Sequence, residues 1–135
     1  MKKQLIAAVC GFALSFGSVA HADDTPLAEK MDEAGGALKL LRRTKSNEEA
    51  IKLVRQAQTE LLASIAYIPE LVEAMPDGAA KEVEIIEYKK MIADSYKALC
   101  DLEIAYLSDD QDKIDDAMSA VKASRKKGHQ RFIEE

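Results

Sequence analysis

Residues 25–41 read TPLAEKMDEAGGALKLL, and this stretch predicts the kind of fold that the chain adopts. Threonine followed by proline is typical of a helix start, because threonine caps free backbone N–H groups and proline fits the first helical position. Apolar residues then recur at four-three-four-three spacing, at Leu27, Met31, Ala34, Leu38 and Leu41. This spacing places them on one face, which is the seam of a helix in a bundle.

Three more segments follow with the same kind of pattern. Ser46 with Glu49 predicts a capping box at the start of the second segment. Its seam consists of Ile51, Val54, Leu61, Ile65 and Ile68. Pro69 and the stretch Pro76-Asp77-Gly78 then interrupt the helical pattern.

The third helical segment starts at about Ala80, and a fourth helical segment follows it. The seam of the third segment consists of Ile85, Tyr88, Ile92, Ser95, Leu99, Leu102 and Tyr106. Ser108 with Gln111 predicts a capping box that opens the fourth segment. No alternating strand pattern is present, so we expect an all-α fold, an up-down-up-down antiparallel four-helix bundle in which the first and last helices are neighbours.

The first 22 residues have the features of a secretory signal peptide. Lys2 and Lys3 precede a short apolar run from Leu5 to Phe16, and Ala20-His21-Ala22 provides a small-x-small cleavage site. We therefore expect a signal peptide at residues 1–22 and a four-helix-bundle domain at residues 23–135. The mature protein should be soluble and exported, with no membrane insertion.

The net charge argues against some classes of partner, and the cysteine count argues against a disulfide. Removing Lys2 and Lys3 takes the formal net charge of −5 to −7, which argues against nucleic acid and anionic membranes as partners. Cys100 would be the one cysteine left, so an intramolecular disulfide is not expected. It reads most simply as a small apolar side chain on the third helix.

The last segment contains the stretch SRKKGHQRF at residues 124–132, with His129 as the one histidine beyond the signal peptide. Arg125, His129 and Phe132 share a face with apolar residues earlier in the segment, Ile114, Ala117, Met118 and Val121. Gly128 leaves bare backbone beside the imidazole, which suits a large flat ligand. His129 is either a solvated residue that stabilises the helix end or a ligand.

Met31 is the candidate for a second ligand. It lies about five residues inside the first helix, ~7 Å at 1.5 Å per residue, and His129 lies at a similar depth from the end of the last helix. By the same estimate Met91 and Met118 lie ~16 Å too deep, and Met75 is a weak competitor in a proline-flanked loop. Met31 could equally fill the core, as most seam methionines do.

The stretches TPLAEKMDEAGGALKLL and VKASRKKGHQRF resemble the first and last helices of the cytochrome b562 family. The resemblance implies a non-covalent haem b whose iron Met31 and His129 ligate, with Arg125 near a haem propionate. Helix 3 departs from the family, which presents phenylalanines to the haem where this chain has Tyr88 and Ile92. We include Tyr88 among the expected cofactor-binding residues.

Two related types of site do not fit the sequence. The residues before His129 are not the C-x-x-C-H motif of a c-type cytochrome, so any haem is non-covalent. A ferritin-like di-iron site needs two Glu-x-x-His pairs, which one histidine cannot supply. We expect favourable charge at a helix C-terminus to explain most of the basic cluster, with a docking patch as the alternative: Lys122, Arg125, Lys126, Lys127 and Arg131.

These features lead to a function and to one alternative. We expect a periplasmic electron-transfer protein rather than an enzyme, because two axial ligands leave the iron no open position. Its partners would be redox proteins of unknown identity, and the protein itself a monomer. The alternative is a haem-free periplasmic bundle that acts as a binding or stress-response module, with a dry, well-packed seam around Met31 and His129.

Overall fold

A computed structural model describes residues 25–133, and this part of the chain is all-α, as predicted. It contains five helices, α1 (Pro26–Leu41), α2 (Asn47–Ser64), α3 (Glu70–Glu73), α4 (Ala79–Leu107) and α5 (Gln111–Phe132), and no strand. The four long helices match the four predicted segments, whereas α3 is an additional single turn. The predicted signal peptide lies outside the described residues.

The starts of α1 and α2 are capped by the residues that the sequence indicates. The Thr25 hydroxyl accepts a hydrogen bond from the Ala28 N–H at 3.1 Å, and Pro26 occupies the first helical position. The Ser46 hydroxyl accepts one from the Glu49 N–H at 3.4 Å. Each cap of this kind stabilises a helix by ~1 kcal/mol. Local chemistry therefore fixes where both helices begin.

The start of α5 differs from the prediction. Ser108 belongs to the end of α4, where its N–H and its hydroxyl both donate to the Ile104 carbonyl. Asp109 then turns the chain with a φ of 51°, and Asp110 caps α5 by accepting from the Lys113 N–H at 3.1 Å. An aspartate is as good a cap as a serine, so the predicted Ser108 box was placed two residues too early.

The end of α2 also differs. The predicted seam continued through Ile65 and Ile68, but the helix ends at Ser64 and these side chains are 37% and 41% exposed. The Tyr67 N–H instead bonds to the Ser64 carbonyl in a turn, and Pro69 cannot continue a helix. The connection to α4 thus passes through α3, whose Val72 is buried against α4 and α5.

The long helices pack on one another in chain order. α1 packs on α2, α2 on α4 and α4 on α5, with α3 against α4 and α5. Small buried side chains let these helices approach closely: Ala37, Ala50, Ala57, Ala98, Ala105 and Ala117. By contrast, no Cα atom of α1 lies within 8 Å of one in α5. The packing is therefore open between the first and the last helix.

α4 and α5 run antiparallel, and α4 extends past the end of α5. Ser95 pairs with Ser124 by a hydrogen bond, and nearer the α5 terminus the ring of Tyr88 meets that of Phe132 edge to face. Their ring centroids are 5.5 Å apart. Since Tyr88 lies well inside the 29-residue α4, its first turns project beyond Phe132. Among residues 25–133, no helix is long and apolar enough to cross a membrane.

Candidate functional site

A cavity of about 680 Å³ lies where α1 and α5 stand apart. Its volume is within the range of about 300 to 1,000 Å³ that is usual for ligand pockets. Its wall is mainly apolar and includes Leu27, Leu38, Leu61, Ile92, Val121 and Phe132. α1, α2, α4 and α5 all contribute to it, and the segment around α3 closes one side.

All four residues predicted as site residues line this one cavity: Met31, Tyr88, Arg125 and His129. Met31 is half-buried, packs against the hydrophobic core and lines the cavity from α1. His129 reaches it from α5 and is exposed to solvent as a whole. The structure therefore places a methionine and a histidine that are almost a hundred residues apart in the chain around the same cavity.

His129 presents a neutral imidazole at neutral pH. Partial burial disfavours its charged form, and the nearby Arg125 guanidinium adds a repulsion, so the pKa of His129 lies below its ordinary value. A neutral ring has a nitrogen lone pair available, which is what a metal ligand needs. The environment of His129 thus favours the form that can coordinate a metal.

Arg125 reaches from α5 toward α1. A Cβ atom added at Gly35 would lie 3.7 Å from a terminal nitrogen of the Arg125 guanidinium. The guanidinium therefore lies beside the bare backbone of α1, at the edge of the cavity, where its charge can meet an acidic group of a ligand. Asp32, Glu70 and Glu73 also line the cavity, so its charged rim is mixed.

Tyr88 forms part of the wall and has its hydroxyl already bonded. It is 3% exposed, and its hydroxyl donates a 2.8 Å hydrogen bond to the Ser64 carbonyl. Burial raises the pKa of this hydroxyl, so it stays protonated. Its ring packs against Phe132. The ring of Tyr88 can therefore shape the pocket and exclude water. Its hydroxyl is already hydrogen-bonded to Ser64 at the end of α2.

Met91 is a lining residue that the sequence estimate placed wrongly. It is buried, lines the cavity, and its Cε atom lies 3.5 Å from where a Cβ of Gly128 would be, next to His129. The depth estimate counted residues from the start of α4, and α4 extends past α5. Met75 and Met118 pack against the core without lining this cavity. The competing thioether is therefore Met91 rather than Met75.

Two hydroxyls provide a polar patch in this wall. Ser95 of α4 and Ser124 of α5 line the cavity and are hydrogen-bonded to each other. Only Ser95 belonged to a predicted seam. Their mutual bond joins α4 to α5 beside the apolar wall.

Within residues 25–133, no three His, Cys, Asp or Glu side chains are grouped so that they could hold a metal ion. Comparisons with family models, with curated proteins and with solved structures found no match for this chain. The chemistry of the cavity itself is therefore the basis for inferring a function.

Proposed function

We propose that the protein is a periplasmic electron carrier that binds one haem b without covalent attachment, with Met31 and His129 as axial ligands. The observation that carries this proposal is that both residues line one cavity, between two helices whose backbones stay apart. The resemblance of the first and last helices to the cytochrome b562 family supports it.

We further infer that the four long helices form an up-down-up-down bundle. The connections between α1 and α2 and between α4 and α5 are short, which favours antiparallel neighbours. Two contacts support an antiparallel arrangement of α2 and α4 as well. Gln58 bonds to Glu103, and six residues later Ser64 bonds to Tyr88, which lies earlier in α4. In such a bundle the start of α1 lies level with the end of α5.

The residues present suit a haem. Its flat macrocycle needs an apolar slot with a few polar groups at the edge, and the cavity has apolar walls with Arg125 on its rim. Gly128 has no side chain beside the imidazole, and a Cβ there would meet Met91 Cε at 3.5 Å. The donor set is one imidazole and one thioether, which is a known axial pair for haem iron.

Each side chain has a part in this proposal. A bound haem supplies one-electron chemistry at its iron. His129 offers a neutral nitrogen, and Met31 offers a thioether, which favours the reduced state and raises the potential. Tyr88 and the apolar wall keep water away, while Arg125 places a positive charge where carboxylates of the ligand can be neutralised.

The haem-free module is the weaker reading. It requires a dry, well-packed seam around Met31 and His129, whereas these residues border a cavity of about 680 Å³. The apolar lining of this space is partly open to water, and a bundle without a ligand would gain stability by closing the space and burying that surface.

Hemin titration tests the proposal directly. Protein purified from an exporting, haem-supplied host should show the visible absorption bands of a six-coordinate b-type haem, and the haem-free form should bind one hemin per chain. Met118→Ala is a matched control, because this methionine packs in the core away from the cavity. Failure of the unaltered protein to bind hemin would refute the function, as would binding that saturates at several hemins per chain.

A further inference from the structure

The basic residues of α5 fall into two groups with different surroundings. Lys127 and Arg131 lie four residues apart on the side of α4, where Arg131 binds Glu84 at 3.0 Å and Glu87 at 3.5 Å. Lys90, and more weakly Arg131 and Lys127, lower the pKa of the Glu87 carboxyl. The charges on this side of α5 are thus matched by acidic residues of α4.

The second group, which we name the basic stripe, consists of Lys122, Arg125 and Lys126. Spacings of three and four residues place them on one face of α5, next to His129. All three are exposed, and Arg125 also lines the cavity. Within residues 25–133, neither Lys122 nor Lys126 has a carboxylate oxygen within 4 Å.

The helix dipole does not explain this stripe. Its effect is confined to the last turn, and the basic residues of the last turn of α5 are His129 and Arg131. Lys122 lies ten residues before the final helical residue, or ~15 Å at 1.5 Å per residue. Like charges four residues apart, such as those of Lys122 and Lys126, repel each other and destabilise a helix. The stripe therefore lacks an explanation within the described fold.

We propose that the basic stripe docks an acidic patch on a partner protein that exchanges electrons with the haem. This inference rests on the proposed function. Charge complementarity supports such a partner, because exposed cations without an acidic neighbour attract an anionic surface and steer its approach. Since Arg125 of the stripe also lines the cavity, a partner bound there would lie beside the cofactor.

The rest of the surface favours a compact acidic patch over a continuous anionic one. The chain carries a formal net charge of −5, and the first half of α5 exposes Asp112, Asp115 and Asp116. An anionic membrane or a nucleic acid would extend beyond the stripe and meet these carboxylates. A protein with a local acidic patch can contact the stripe alone. Docking of this kind weakens as salt screens the charges.

An oligo-aspartate peptide is the probe for this surface. We expect it to shift the backbone amide NMR signals of residues 118–130 of the haem-loaded protein and to leave those of α2 in place. The shifts should disappear when the ionic strength rises from about 0.01 M to about 1 M, which shortens the Debye length from about 30 Å to about 3 Å. Shifts that are absent, or that centre elsewhere, would overturn the inference.

Charge reversal with a matched control sharpens the test. Lys122→Glu combined with Lys126→Glu should weaken peptide binding by about tenfold or more at low ionic strength. Lys45→Glu combined with Lys89→Glu changes the net charge equally at two exposed lysines outside the stripe, and should weaken it far less. Lys122→Gln with Lys126→Gln serves as a milder pair. Equal loss in both reversed pairs would show that only net charge matters.

Two further arms separate the possible failures. Binding to phosphatidylglycerol vesicles without binding to the peptide would replace the protein partner by a membrane. Repeating the peptide titration on haem-free protein separates this inference from the proposed function. Peptide binding by a protein that takes up no hemin would refute electron exchange at this surface. Hemin uptake without peptide binding would refute the docking surface alone.

Discussion

Arg125 and His129 lie one helical turn apart on α5, and their proximity affects the imidazole. Burial comes first among the causes that lower the pKa of His129, and the Arg125 charge adds to it. A histidine whose folded-state pKa is depressed contributes stability above its ordinary pKa of about 6.5, and this contribution is lost as the pH falls through that value toward the folded-state pKa. Acid should therefore weaken both the fold and ligand binding at this position.

Arg125→Gln tests the electrostatic part of this effect. Removing the guanidinium should raise the pKa of His129, so protonation competes with hemin at a higher pH and the midpoint of acid-induced hemin release moves upward. The ring-proton NMR signal of His129, followed against pH, measures the pKa directly. Lys122→Gln is the matched control, because it removes an equal charge from the same face. An unchanged pKa in Arg125→Gln would leave burial as the sole cause.

Replacing the two candidate ligands should have unequal effects. His129→Ala should largely abolish stable hemin binding, because imidazole is the stronger ligand. Met31→Ala should retain hemin and lower its reduction potential on the order of 100 mV, part of the ~0.8 V range that axial ligands span. Optical spectra and potentiometry of each variant provide the measurement.

Met91→Ala is the control for this pair, since its thioether lines the same cavity. It should leave the spectrum in place. A wild-type spectrum and potential in Met31→Ala, with both altered in Met91→Ala, would move the axial ligand from α1 to α4. A wild-type spectrum in His129→Ala would mean that another residue coordinates the iron.

At the scale of the element, a substitution at Gly128 should change helix stability and ligand binding in opposite directions. Glycine in a helix interior costs roughly 1 kcal/mol relative to alanine. A Cβ at Gly128 would meet Met91 Cε at 3.5 Å, an ordinary van der Waals distance. Gly128→Ala should therefore stabilise the haem-free protein by ~0.5–1 kcal/mol in urea unfolding and weaken hemin binding if the macrocycle packs on this backbone.

Gly36→Ala provides the comparison for that variant. Gly36 lies inside α1, is exposed, and has no heavy atom within 4 Å of an added Cβ. This substitution should raise stability by a similar amount and leave hemin affinity unchanged. Equal hemin affinity in both variants would show that the ligand does not approach Gly128.

The elements that the sequence predicted well are those with local signals. Thr25 and Ser46 mark their helix starts because a cap depends on residues only three positions away. The four-residue α3 is too short to show a periodic pattern. The estimated depth of Met91 was wrong because α4 extends beyond α5. That extension is a property of tertiary packing, which residue counts along the sequence do not show. Met31 and His129 were predicted as a pair from their depth in the helices and from the family resemblance, and the cavity that both line depends on the gap between their helices.

At the scale of the whole molecule, the helices form an open row. α2 and α4 each pack against long helices on both sides, whereas α1 packs against α2 alone in the part of the chain that the structure describes. Lys30 strengthens this one interface by pairing with Glu60 at 3.0 Å. α1 is thus the long helix held by the fewest neighbours and, in the proposed function, the helix that supplies the thioether.

This one-sided attachment predicts how the backbone opens. Elements with few buried contacts exchange their amide hydrogens through small local openings, so α1 amides should exchange well before those around Leu102 in haem-free protein. Hemin should slow exchange in α1 and change that at Leu102 much less. Mass spectrometry of exchanged peptides measures both, and α1 protection equal to that at Leu102 without hemin would contradict the idea.

A ligand held from α1 and α5 at once would join the two ends of this row. Every long helix would then have a neighbour on either side, and the assembly would become a closed ring that has to open before the haem can leave. A cofactor that binds only the folded form stabilises that form by mass action. The haem would therefore hold α1 and α5 together and stabilise the fold. The gap between α1 and α5 through which the haem enters would have to reopen before the haem leaves, so its release would be slow.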